Sequence, residues 1–256
     1  MPGRLWLVPT PLDLGEVPGP LDGALPLATV AQAARLTHWV VENAKSARAF
    51  LKRVDAVTPL AVPLQSMHMT ELPRLVHKKG DHDPAASGDW AKALLAPALE
   101  GHDMGLLSEA GMPAVADPGS GVVRAAHALG MEVLPLVGPV SLMLALAASG
   151  LNGQHFAFVG YVPQDATVRA KQLRDLDSLS ARTGQTQILI ETPYRNNALL
   201  DALVSQLHGT TRLAVACALG LGAQTVRSAT VDEWRQKPGL RQALPLAQPA
   251  VFLFGR

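Results

Sequence analysis

Residues 106–139 read LLSEAGMPAVADPGSGVVRAAHALGMEVLPLVGP. Leu106 and Leu107 end an apolar run that Ser108-Glu109-Ala110-Gly111-Met112-Pro113 cannot continue. Ala116-Asp117-Pro118-Gly119-Ser120 is a second break, and Asp117 or Ser120 can cap a following helix. Val122, Val123, Ala126 and Leu129 give that helix an apolar face, and Gly130 stops it. Met131 to Val137 reads as a buried strand, and Gly138-Pro139 turns out of it. Strand, polar turn, helix, strand, turn is the signature of an α/β sheet. Its ligand loops lie at the carboxyl ends of the strands, and small residues there let a ligand approach the backbone.

Working outward, Leu5-Trp6-Leu7-Val8 is a short strand that runs into Pro9-Thr10-Pro11-Leu12-Asp13-Leu14-Gly15, either a ligand loop or an ordinary connection. It has neither GxGxxG nor GK[ST], so dinucleotide and P-loop phosphate chemistry are not indicated. A helix from Thr29 to Leu36 precedes a strand at His38-Trp39-Val40-Val41, which ends in Glu42-Asn43-Ala44-Lys45. Ala44 to Val54 is a helix with Ala47, Phe50, Leu51 and Val54 on one face. Leu60 to Leu64 is a third strand candidate, ending near His68. His77 to Gly88 reads as a loop whose His77, His82 and aspartates match a metal cluster in composition alone. Trp90 to Leu99 is a helix.

Beyond Leu151 the expected order is a strand over Gln154–Pro163, a helix over Asp165–Leu179, and a strand over Gln187–Ile190 closing in Glu191-Thr192-Pro193-Tyr194-Arg195. A helix over Asn197–Leu207, strands over Arg212–Leu219 and Thr225–Thr230, a helix over Val231–Gln236 and a last strand over Pro249–Phe254 complete it. The expectation is two α/β domains, 1–139 with a mostly parallel sheet and 140–256 with a mixed sheet and fewer helices.

Composition narrows the function. The 256 residues are 48% apolar, enough for a core, and carry a net charge of +1, which disfavours gripping long duplex nucleic acid by charge. The single Cys217 excludes an internal disulfide and fits a cytoplasmic protein. Val133 to Leu151 carries no charge, but Pro135, Gly138 and Pro139 interrupt it, so a strand, a turn and a helix from Ser141 to Ser149 are expected rather than a membrane span.

The VPTP strand end, the Glu42-Asn43 pair and SEAGMPAVADPG followed by PLVGP occur in that order. Together they resemble the tetrapyrrole methylase family, the class III S-adenosylmethionine-dependent methyltransferases. Within it they are most similar to the branch of ribosomal RNA small subunit methyltransferase I, whose pattern is S-D-A-G-T-P-x-x-S-D-P-G. The departures are Glu109, Met112 and Ala116. The likeness continues through Gly150-Leu151, Phe158 to Pro163 and Glu191 to Arg195.

The resemblance implies two α/β domains with S-adenosyl-L-methionine bound in a cleft between them, and a homodimer. It implies donor contacts from Pro9, Ser108, Glu109, Ala110, Gly111, Pro113, Pro139 and Ser141, and from Glu191, Thr192, Ala216, Cys217 and Ala250 near Pro249. Glu109 either meets the donor's ammonium or ribose hydroxyls or sits as a loop carboxylate at a helix N-terminus. That branch carries E-D-T-R where this chain has Glu42-Asn43-Ala44-Lys45, so a carboxylate and a guanidinium fork are missing. Glu42 and His68 are the candidate catalytic groups near the acceptor, able to polarise a hydroxyl, although a histidine after an apolar strand also serves as a structural hydrogen-bonder. Arg195 either contacts an anionic acceptor or pairs with an acid across the cleft. The implied activity is methyl transfer to RNA, at the ribose 2′-O of ribosomal RNA. The alternatives are C-methylation of a tetrapyrrole or corrin precursor, and a donor-binding module without catalysis.

Overall fold

The computed structural model describes residues 2–12, 19–73 and 89–256. The loop over His77–Gly88 and the Asp13-Leu14-Gly15 end of the first loop lie outside the described residues. The chain forms two compact units, Met1–Pro139 and Val140–Arg256.

The first unit is built on strands β1 (Leu5–Val8), β2 (His38–Val41), β3 (His68–Glu71), β4 (Met104–Leu107) and β5 (Val133–Pro135), in the order β3-β2-β4-β1-β5. Every pairing among them is parallel. Helices α1 (Leu27–Arg35) and α2 (Ala44–Asp55) pack on one face with Val8, Trp39, Val41 and Leu107. Helices α3 (Asp89–Leu94), α4 (Ala96–Leu99) and α5 (Ser120–Ala128) pack on the other with Leu5, Val40, Met104 and Leu106. Neighbouring residues of one strand thus enter opposite cores, which is why these strands read as unbroken apolar runs.

The second unit holds β6 (Phe156–Gly160), β7 (Thr186–Glu191), β8 (Arg212–Cys217), β9 (Thr225–Thr230) and β10 (Ala250–Gly255), in the order β6-β7-β10-β8-β9. Only β6 with β7 is parallel; the other pairings are antiparallel. Helix α6 (Ser141–Ser149) covers one face through Leu142, Ala145 and Leu146. Helices α7 (Ala166–Thr183), α8 (Asn196–Gln206) and α9 (Val231–Gln236) cover the other, and α10 (Pro238–Gln242) follows. No helix among the described residues is long and apolar enough to cross a membrane.

Several local expectations are corrected. The third strand is His68–Glu71, not Leu60–Leu64. Pro59 and Pro63 bracket the apolar segment and cannot donate ladder hydrogen bonds, whereas the true strand is a polar, exposed edge with no hydrophobic signal. The helix expected over Trp90–Leu99 is split into α3 and α4, with the prolyl nitrogen of Pro97 in the first turn of α4. Strand β5 spans three residues, not Met131–Val137, and is half-buried, because it is an edge strand paired with β1 alone. Gly119, not Asp117 or Ser120, stands at the N-cap of α5. Its φ of +137° favours glycine, and an added Cβ would meet Leu106 Cδ2 at 3.1 Å. Fewer helices are expected in the second unit; among the described residues each unit carries five α-helices, and α7 alone runs 18 residues.

Gly105 in β4 lies against the fully buried Trp39 ring, and a Cβ there would come within 2.4 Å of its Cε3 and Cζ3. Gly105→Ala is expected to destabilise the protein by about 1–3 kcal/mol through overpacking. Urea denaturation should show a lower midpoint at unchanged slope; an unchanged midpoint would mean that the Trp39 site is loosely packed.

Candidate functional site

From β1 the chain crosses toward β2; from β4 it crosses the opposite way, toward β5. The adjacent carboxyl ends of β1 and β4 therefore form a topological switch point, the place where open α/β sheets bind ligands. Two loops meet there. Thr10 N–H donates to Gly111 O at 2.9 Å and Gly111 N–H donates to Thr10 O at 2.8 Å, an antiparallel bridge. Thr10 Oγ1 adds a bond to Ser108 O at 3.4 Å. Gly111 has φ +75°, and an added Cβ would find its nearest neighbour, Pro139 O, only at 3.9 Å, so the turn leaves open space beside it. Gly138 instead packs on Pro9, whose Cγ would lie 2.2 Å from a Cβ. Pro9, Ser108 to Gly111, Pro113 and Pro139 thus all belong to the loops at this end of the first sheet.

The carboxylates around Ser108 carry the electrostatics. Glu109 N–H donates to Glu42 Oε2 at 3.1 Å, and Ser46 Oγ donates to Glu109 Oε1 at 3.4 Å. Glu42 is brought here because its own N–H donates to Leu107 O, extending the β2–β4 ladder by one residue. Asp117 is half-buried and faces the same charges. Burial first, then the charges of Glu42 and Glu109, push its carboxyl up to about 7, against a hydrogen bond with Ser108 that opposes the shift. Ala114 and Ala116 between them hold left-handed backbone, with φ of +65° and +64°, a conformation costing about 1–2 kcal/mol per non-glycine residue. The sequence reading saw in Asp117 a helix cap and missed it as an ionisable member of this site. Its signal, a lone Asp in a Pro/Gly turn, is shared by ordinary caps.

The Glu42-Asn43-Ala44-Lys45 segment has a structural explanation. Asn43 is the N-cap of α2, its Oδ1 accepting from Lys45 N–H at 2.9 Å. Asparagine caps as well as aspartate, so the change removes a charge without loosening the helix. Glu71, at the end of β3, accepts from Ala44 N–H at 2.8 Å and secures the same turn.

The sequence pairs His68 with Glu42; the structure separates them. His68 is the first residue of β3, in register with His38 at the start of β2, whereas Glu42 follows the end of β2. Four residues of strand put them about 13 Å apart along the sheet. At that amino end His68 stacks on His38 (centroids 4.6 Å apart), which stacks in turn on His102 (4.3 Å). Burial, then the charges of His102 and His68, lower the His38 pKa, with Glu100 opposing.

In the second unit, cross-strand register places Glu191, Ala250 and Cys217 side by side in one row across β7, β10 and β8. Thr192 follows Glu191, and Ser141 is the exposed first residue of α6. Ala216 and Cys217 point into opposite cores. Burial pushes the Cys217 thiol up to about 11, so it stays protonated and its backbone alone is left to meet a ligand. Arg195 pairs within its own unit, while its buried Nε has no hydrogen-bond partner among the described residues. Its guanidinium donates to Glu191 Oε1 at 2.8 Å, an oxygen that also accepts from Thr192 N–H and Oγ1.

A model of the family described as Tetrapyrrole (Corrin/Porphyrin) Methylases matches residues 36–234. The ribosomal RNA small subunit methyltransferase I of Pseudomonas aeruginosa is 35% identical over 133 residues, 52% of this chain and 46% of that protein. The protein of that name from Halalkalibacterium halodurans is 29% identical over 204 residues, 79% of this chain and 60% of its own. The chain spans about half the length of the curated relatives it matches. A crystal structure of uroporphyrin-III C-methyltransferase from Thermus thermophilus, complexed with S-adenyl homocysteine, shares the fold at a TM-score of 0.54 and 16% identity, over 99% of this chain and 98% of that one.

The raised Asp117 has a thermodynamic consequence. A carboxyl whose pKa rises from 3.8 to about 7 on folding binds more protons folded than unfolded across that window. Stability is therefore lost as pH rises from about 4 to about 7. Asp117→Asn should gain thermal stability over the parent protein at about pH 8 and little at about pH 4. A difference independent of pH in melting experiments would show that Asp117 ionises normally.

Proposed function

We propose, for a chain that belongs to the tetrapyrrole (corrin/porphyrin) methylase family, that it is an S-adenosylmethionine-dependent methyltransferase whose acceptor is RNA. The observation that carries this is the bridged pair of loops at the β1/β4 switch point, ringed by Glu42, Glu109 and Asp117. The RNA acceptor rests on the names of the similar proteins and on the SEAGMPAVADPG motif.

The residues present suit the donor. It carries a sulfonium and an ammonium, and carboxylates around Ser108 complement both charges. In this reading the Ser108–Gly111 turn, held rigid by its bonds to Thr10 and Glu42, borders the donor, and the open space beside Gly111 admits it closely. When bound, the donor supplies an activated methyl on its own leaving group, so the protein's work is to hold the acceptor in line with it.

The acceptor in this reading is a ribose 2′ hydroxyl. Its oxygen forms the new bond to the methyl as the carbon–sulfur bond breaks, and its proton passes to a carboxylate. Glu42 is the proposed proton acceptor, at the strand end nearest the bridged loops. His68, at the amino end of the sheet, takes no part.

Calorimetric titration with S-adenosylmethionine and S-adenosylhomocysteine should give saturable binding, abolished in Gly111→Arg, which fills the turn. Glu42→Gln keeps an oxygen to accept the Glu109 N–H and so should retain donor binding while methylation of small-subunit ribosomal RNA falls about 10²- to 10⁴-fold. Absence of donor binding by the parent protein would refute the methyltransferase reading. Binding with methylation of a tetrapyrrole but not RNA would move the acceptor.

A further inference from the structure

Tyr194 is the most exposed large apolar side chain among the described residues, at 81%. It sits in a short 3₁₀ turn, Pro193–Arg195, just past the carboxyl end of β7. Single exposed apolar residues are ordinary on protein surfaces, so it is the support beneath this ring, not its exposure, that sets it apart. The Arg195 guanidinium carbon lies over the ring, 5.3 Å from its centroid. That guanidinium is itself fixed: it pairs with Glu191, whose side chain is only 6% exposed. Pro193 at the start of the turn restricts the backbone. A flat ring is thus held out into solvent on a cationic support, with most of its surface open.

The location adds to this. The turn follows Glu191, which stands in one row with Ala250 and Cys217. A group held on Tyr194 would therefore lie at the same end of the second sheet as that row. Exposed aromatic rings and arginine planes are what proteins use to hold unstacked bases of single-stranded RNA. The stacking is indifferent to net charge, which suits a chain carrying only +1.

We propose that Tyr194, supported by Arg195, is the stacking platform for an unpaired base of the RNA acceptor. The inference rests on the RNA reading of the function. It assigns to this turn the task of holding a base of the acceptor strand, a positioning role rather than a chemical one. The Glu191–Arg195 pair then serves to keep the ring at a fixed angle.

The test measures binding of a fluorescently labelled single-stranded fragment of small-subunit ribosomal RNA by anisotropy, with donor binding by calorimetry alongside. Tyr194→Ala removes an exposed side chain and should leave the fold and the donor affinity intact. It should weaken RNA binding by about 5- to 100-fold, the range for one lost base–aromatic stack. Tyr194→Phe keeps the ring and should bind RNA like the parent protein. In turnover, Tyr194→Ala should raise KM for RNA more than it lowers kcat. The proposal is overturned if Tyr194→Ala binds RNA normally, if Tyr194→Phe is as weak as Tyr194→Ala, or if donor affinity falls in parallel, which would make the ring a cover for the donor's adenine. A parent protein that binds and methylates no RNA, while binding donor, refutes the acceptor reading itself and this inference with it.

Discussion

Parallel pairing of β1 with β4 and β5, and of β2 with β3 and β4, obliges all five chains to leave the first sheet at the same edge. Every loop that follows a strand is then delivered to that edge, and every return must cross a face as a longer connection. The loops after β1, β2, β4 and β5 bring together Pro9 and Thr10, Glu42 and Asn43, Ser108 to Asp117, and Gly138-Pro139. The crossovers leave β1 and β4 in opposite directions, which makes their carboxyl ends the sheet's topological switch point. The mutual Thr10–Gly111 hydrogen bonds tie the two loops together there.

That edge concentrates costs that a merely structural turn would avoid. Two alanines hold left-handed backbone, and three carboxylates crowd one serine, with the Asp117 carboxyl pushed up to about 7. Strain and like-charge crowding persist where the surroundings over-determine them, and such features cluster at functional sites. The central strands β1, β2 and β4 are conventional by comparison, with both faces buried under helices and Trp39 filling the space left by Gly105. The second sheet works differently. Its mainly antiparallel order brings the start of β10 beside the ends of β7 and β8, so residues distant in sequence form a single row.

What was legible in the residues follows from how each element gets its stability. Helix α2 was readable because Ala47, Phe50, Leu51 and Val54 recur at helical spacing and all are buried. Strands β1, β2 and β4 were readable because burial on both faces demands unbroken apolar runs. Strand β3 was not, because an exposed edge strand needs no apolar residue; its HMTE sequence carries no period. The same applies to the site. The turn at Ser108–Gly111 announces itself through small residues and a family motif, whereas the role of Asp117 depends on Glu42, 75 positions earlier in the chain.

The sequence alone determined the α/β class, the kinds of strand on which each sheet is built, the loops that carry the motif and the family that the motif belongs to. Those are properties of local periodicity and of short contiguous patterns, which need no knowledge of what lies across the fold. The tertiary structure decided which charged groups face one another. It separated His68 from Glu42 by the length of a strand, joined Arg195 to Glu191, and placed Asn43 in a helix cap. It also raised the Asp117 carboxyl. Burial and Coulomb interaction depend on distance through space, and strand order, which no local pattern encodes, sets that distance.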